Sequence, residues 1–204
     1  SYEKKSIDND TIAGDFVVIN QTFSNSVSEN WSAFTPKAAL SFEVADNVQM
    51  YGSMAQGFKS GGFAAAPQGI EFTDPLDQEE ALSFEAGFKG DFADRVRLNA
   101  AVFYTEYEGL QIQTFGPLTP GAAFGTFQTF NAGDAEVFGV EVESTLQLTD
   151  SMTLSGFYSY QDSEFQSTNI PGSAFPDQSG QALLRTPEQK YGITVDYEKI
   201  LGEA

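Results

Sequence analysis

Long runs in which every second residue is apolar, joined in pairs by very short turns, constrain this chain more than any other feature. Between Leu82 and Phe92 the apolar positions are Leu82, Phe84, Ala86, Phe88 and Phe92, and Ser83, Glu85, Lys89 and Asp91 lie between them. After a turn at Ala93-Asp94, Val96, Leu98, Ala100, Val102 and Tyr104 alternate with Arg95, Arg97, Asn99 and Thr105. A period of two belongs to a strand, because successive side chains leave opposite faces of a sheet. The same unit occurs earlier. Phe34, Ala38, Leu40 and Phe42 share one parity, Ala45-Asp46-Asn47 turns, and Val48, Met50 and Met54 follow, with Tyr51 out of step. It occurs again from Phe138 through Val140, Val142, Leu146 and Leu148 to Met152, Leu154, Tyr158 and Tyr160. Tyr191, Ile193, Val195 and Tyr197 form a last strand, and Phe16 to Phe23 a short early one. Residues 1 to 15 have no usable period, and 24 to 33 read as a polar loop.

The result is about eight antiparallel strands whose connections alternate between very short and long. The long ones fall at about residues 60–80, 114–131 and 162–187. A soluble sandwich mixes loop lengths at both ends. A transmembrane barrel has short turns at its periplasmic end and long loops outside. Several strands also run to the roughly 9–11 residues that a tilted strand needs to cross a bilayer. Lys37, Glu85, Lys89, Arg97, Glu141, Glu143, Lys190 and Asp196 all take the polar parity. Such sorting suits lipid, where a mid-plane Lys or Arg costs roughly 2–4 kcal/mol. A soluble sheet with one buried face would sort its charges in the same way. Tyr51, Tyr104, Tyr107, Tyr158 and Tyr160 lie near strand ends and fit interfacial girdles, or the filling of a soluble β-core.

Composition removes several function classes. There is no Cys and no His, so disulfides, thiolate metal sites and His-dependent triads are excluded. Lys and Arg number 10 against 29 Asp and Glu, a net charge of −19, which is unsuited to nucleic acid. No apolar run is long enough for a transmembrane helix, a test to which barrels are blind.

The stretches FTPKAALSFEVADNVQMYGSMAQGFKSGGF, DQEEALSFEAGFKGDFADRVRLNAAVFYTEYEGLQIQ, NAGDAEVFGVEVE and RTPEQKYGITVDYE follow one another in order. Over about residues 31–198 they resemble the barrel of TonB-dependent outer-membrane receptors. The resemblance implies an all-β, up-and-down transmembrane barrel segment belonging to a larger barrel of about 22 strands. The family's plug domain has no counterpart in residues 1–204, which are expected to be an internal barrel piece. It further implies a bacterial outer-membrane location in contact with lipid, and a bulky ligand such as a ferric siderophore. Energy would come from the inner-membrane TonB complex acting through the plug. Lys37 and Glu43 would then face a lumen, and Leu40 and Phe42 lipid. No catalysis, cofactor or resident metal is implied. The alternatives are a soluble β-sandwich binding module and a small passive outer-membrane barrel.

The local motifs are weak. Gly57-Phe58-Lys59-Ser60-Gly61-Gly62 lacks P-loop spacing and reads as a strand exit in which glycines supply positive φ. Glu141 and Glu143 project the same way, about 7 Å apart by strand geometry, as on a polar lumen wall. Asp74, Asp77, Glu79 and Glu80 lack EF-hand spacing and read as a solvated acidic loop. Loop candidates for ligand contact are Phe115, Phe124, Phe127 and Phe130, together with the cation Arg185. A chain of this design is expected to sediment with membranes and to need detergent for extraction. A monodisperse preparation in plain buffer would overturn that expectation.

Overall fold

The computed structural model describes residues 2–11, 23–63, 75–117, 125–169 and 177–198. Among these residues there are nine strands and no helix: β1 (Tyr2–Thr11), β2 (Phe23–Ser32), β3 (Lys37–Ala45), β4 (Val48–Lys59), β5 (Glu79–Phe92), β6 (Val96–Pro117), β7 (Gly125–Thr149), β8 (Met152–Thr168) and β9 (Gln189–Tyr197). β1 and β2 form an antiparallel pair. β3 to β9 form one seven-stranded sheet in sequence order, every neighbour antiparallel. This is the expected up-and-down arrangement.

Several boundaries differ from the sequence reading. The polar segment taken as a loop before Phe34 is β2, stabilised by pairing with β1 from Tyr2↔Ser32 to Thr11↔Phe23. The early strand expected from Phe16 lies outside the described residues except for Phe23. The second long connection is mostly strand: β6 and β7 are 22 and 25 residues long and pair out to Pro117↔Gly125. β8 likewise continues to Thr168, into the third expected loop.

Register carries the alternation across the whole sheet. One rung runs Leu40–Gly52–Ala86–Val102–Val140–Tyr160, and the next runs Phe42–Met50–Phe88–Ala100–Val142–Tyr158–Tyr191. Between them, on the opposite face, lies Ser41–Tyr51–Gly87–Ala101–Glu141–Ser159–Lys190. Every charge assigned to the polar parity falls on this second face. The apolar face remains open: Val102 and Phe138, in the middle of the sheet, are still 41% and 42% exposed. No large side chain is fully buried among the described residues, so this sheet has no second layer over it. On the apolar face of β6 the band runs from Val96 to Tyr104 and ends at Glu106, whose rung partners are Leu82 and Glu136. Tyr104, Tyr158 and Tyr160 belong to this face. Tyr51 and Tyr107 take the charged face, so they are not part of an outer girdle.

The charged face also carries aromatics, in a repeating relation to glycine. Tyr51 is paired with Gly87, Phe103 with Gly139 and Phe157 with Gly192. In each case a Cβ on the glycine would come within 3.0 Å of the aromatic ring. The ring thus lies across the neighbouring strand in the space that the missing side chain leaves, covering backbone that would otherwise be bare. Gly139→Val is expected to displace Phe103 and destabilise the folded sheet by ~1–3 kcal/mol. Urea unfolding in detergent checks this, and pairing the change with Phe103→Ala should recover part of the loss.

Candidate functional site

Two concave regions lie on the charged face. Near the short turns, Glu43, Gln49, Lys89, Asp91, Arg97 and Asn99 line a hollow of about 430 Å³. Strand alternation brings them together: Glu43, Gln49, Lys89 and Asn99 share a rung, and Asp91 and Arg97 are paired on the next. The Arg97 guanidinium donates from Nε to Asp91 Oδ1 at 2.8 Å. Farther up the face, Tyr51 donates to Glu85 Oε1 at 2.7 Å, and Lys89 Nζ sits 5.6 Å from the Tyr51 ring centre. These groups satisfy one another and form a charged, water-compatible surface. Among the described residues no group of three or more acidic side chains is arranged to hold a metal.

The second region lies at the end of the long connections. Lys59, Ser60, Leu76, Gln111, Gln113 and Thr129 contribute to a hollow of about 420 Å³. Its floor is pinned by amide side chains reaching across long sequence separations. Asn131 accepts from Asp77 N at 2.9 Å and donates to Asp77 O at 3.0 Å, as a strand neighbour would. It also donates to Gly109 O at 2.8 Å. Gln111 Nε2 donates to Ser60 O at 3.1 Å and Asp77 O at 3.0 Å, and its N–H donates to Glu79 Oε2 at 2.8 Å. Gly109, at φ 63°, permits the bulge that brings Gln111 into this position.

Trp31 closes the same knot. Its Nε1–H donates to Leu76 O at 3.1 Å, and its ring meets Phe63 edge-on at 5.9 Å between centres. Gly62 and Leu76 form an isolated bridge, so the two stems of the connection between β4 and β5 are tied together. This corrects the expectation that the glycines after Lys59 supply positive φ: neither Gly61 nor Gly62 has it. A Cβ at Gly61 would instead collide with the Trp31 indole and the Leu76 carbonyl. Of the acidic run, Glu79 meets Lys59 at 3.6 Å, and Glu80 accepts from Gln56 at 2.8 Å and from Gln78 at 2.5 Å. Asp74 lies outside the described residues.

The predicted contact residues separate. Phe115 and Phe127 come together as a directly paired rung, rings edge-to-face at 5.2 Å, 65% and 67% exposed. They stand on strands, not in a loop as expected. Phe130 pairs with Ile112 and takes the opposite face by alternation. Phe124 lies outside the described residues. Arg185 occupies an exposed turn at φ 64° beyond β8, away from the paired phenylalanines in the ladder. Gln111, Asn131 and Trp31 were not singled out for this role, and nothing local marks them. Their partners lie 22 to 54 residues away.

A family model for the TonB dependent receptor-like β-barrel matches residues 1–203. The chain belongs to that family. Its family is one of transport receptors. A relative, the probable TonB-dependent siderophore receptor PiuA of Acinetobacter baumannii, is 29% identical over 194 residues, 90% of this chain and 25% of the relative. The metal-pseudopaline receptor CntO of Pseudomonas aeruginosa is 28% identical over 169 residues, 81% of this chain and 21% of that protein. The crystal structure of the ferric yersiniabactin uptake receptor FyuA from Yersinia pestis superposes with a TM-score of 0.68 at 22% identity, over 86% of this chain and 24% of that one. The chain therefore spans about a quarter of the length of the curated relatives it matches. Its open sheet is the part of a larger barrel wall that this sequence supplies.

Asn131→Ala removes three hydrogen bonds at once and is expected to loosen the stem at Asp77, at a cost of ~1–3 kcal/mol for the orphaned partners. Amide exchange at Asp77 should accelerate, while exchange in the middle of β6 and β7 stays unchanged.

Proposed function

We propose that this chain forms part of the wall and mouth of a bacterial outer-membrane receptor that imports a metal chelate of the siderophore type. The observation that carries the proposal is the single-layer sheet with one continuous apolar face and one charged face. Lipid covers the first without needing a second protein layer, and water or a plug covers the second. A soluble binding module would expose a wide band of Phe, Val and Leu to water, which monomeric soluble proteins rarely do. The names of the relatives, which refer to siderophore and metal-complex receptors, support the ligand class.

In this reading the short turns at 46–47, 93–95 and 150–151 face the periplasm, and the opposite strand ends, at Lys59, Glu79, Pro117, Gly125, Thr168 and Gln189, face outward. The lumen-facing residues include Glu85, Lys89, Glu141 and Glu143. They form a hydrated wall for a plug domain to seat against. The energy for import comes from the inner-membrane TonB complex acting on that plug. The wall's own contribution is passive: it pairs its backbone in lipid and holds the mouth open in a fixed shape.

Orientation is testable within neighbouring rungs. In the full receptor, Val102→Arg is expected to cost ~2–4 kcal/mol in a bilayer, because the charge meets lipid. Ser159→Arg, on the charged face, should cost far less. Urea titration of the receptor in vesicles, followed by heat-modifiable gel mobility, separates the two. Equal costs would overturn the membrane orientation. Cells making the receptor should also take up ferric chelate saturably, and collapse of the proton gradient should abolish the uptake.

A further inference from the structure

The mouth that this chain builds is unusual in its charge. The connection at 60–80 contains Glu71, Asp74, Asp77, Glu79 and Glu80 and no Lys or Arg. The segment 114–131 has no charged residue at all and four phenylalanines. In the segment 162–187, Asp177 stands against Arg185, while Asp162 and Glu164 continue the apolar-face parity of Tyr158 and Tyr160. Lys59, which lines the hollow, lies 3.6 Å from Glu79 and is paired with it.

Geometry adds a surface on which a ligand can rest. Gln111↔Asn131, Gln113↔Thr129 and Phe115↔Phe127 are rungs of one ladder, and alternation brings all three to the same face. The first rung is committed to pinning Asp77. The second lines the 420 Å³ hollow with amide and hydroxyl groups. The third is a solvent-facing aromatic pair. Polar neutral groups below and an aromatic edge above suit a ligand with hydrogen-bonding atoms and an apolar surface.

From these observations we infer that the Gln113/Thr129 and Phe115/Phe127 rungs form a ligand subsite at the mouth selective for an uncharged or cationic metal chelate over multiply anionic chelates. The inference rests on the receptor reading above and narrows it. Asp77, Glu79 and Glu80 outnumber the one cation lining the hollow, Lys59, which is already paired with Glu79, so the mouth favours cations and disfavours polyanions.

The test uses the full-length receptor in outer-membrane vesicles, with two radioiron probes: an uncharged hexadentate ferric tris-hydroxamate and a trianionic ferric tris-catecholate. Binding of the uncharged probe is expected to be at least about tenfold tighter, and the gap should narrow as salt rises. Gln113→Lys should narrow it at constant salt. Phe127→Ser, at a site exposed enough to leave folding intact, should weaken the uncharged probe about tenfold while heat-modifiable mobility stays normal. Equal or tighter binding of the trianionic probe overturns the charge preference and leaves the receptor reading standing. Unchanged binding in both variants overturns the location of the subsite. Saturable binding of neither probe overturns the receptor reading, and this inference with it.

Discussion

Backbone pairing within the sheet is the interaction on which everything else in this chain depends. An apolar medium offers no partner to a free N–H or C=O, and each unpaired group there costs several kcal/mol. The ladders from β3 to β9 meet that demand almost without interruption across the apolar band. The few register shifts lie at the tight turns, between Glu43 and Ala45 and between Gln147 and Thr149, or above the band, near Gly109 and Asp134. Irregularity is thus confined to places that water can reach. Buried apolar side chains among the described residues are few, Trp31, Ala132, Ala135, Val137 and Phe165, so cohesion across the sheet comes mainly from rungs.

If the outer face is given to lipid, as proposed, shape control passes to the charged face. The pairs Tyr51/Gly87, Phe103/Gly139 and Phe157/Gly192 recur on alternate strand interfaces. A large ring laid over a glycine covers backbone and keys one strand to the next. A one-residue slip would set Phe103 opposite Phe138 or Val140 and Phe157 opposite Tyr191 or Ile193, side chains that leave no such space. Register is therefore fixed by size complementarity inside and by the apolar parity outside, and the two constraints agree.

Much of this was legible in the residues. Parity alone assigned Lys37, Glu43, Glu85, Lys89, Glu141 and Lys190 to one face, and the register placed them there. For Tyr51 parity pointed to the charged face, and only its aromatic character suggested an outer girdle. Phe103 and Phe157 were hidden, since the glycine that accommodates each is recognisable only once the strands are aligned. β2 escaped because Ser, Asn and Glu carry no hydrophobic period; its partner β1 makes it a strand. The length of β6 and β7 escaped because Gly116, Pro117 and Gly125 punctuate the sequence like turn residues, although the ladder reaches them. Asn131 escaped for a simpler reason: its partner Asp77 lies 54 residues away.

The mouth and the wall solve different problems with different bonds. In the wall, side chains are interchangeable within their parity, because backbone ladders carry the structure. At the mouth the ladder ends, and β4, β5, β6 and β7 are tied by particular side chains: Trp31 to Leu76, Gln111 to Ser60 and Asp77, and Asn131 to Asp77 and Gly109. Asn131 imitates a strand neighbour with a single amide, continuing sheet-like pairing where the chain has left the sheet. Such a network holds when each donor and acceptor is satisfied and the geometry is fixed from several sides. A rigid stem there fixes the Gln113/Thr129 and Phe115/Phe127 rungs relative to the lumen. Ligand selectivity can then vary through a few rungs above the knot while the wall beneath, and its fit to lipid, stays the same.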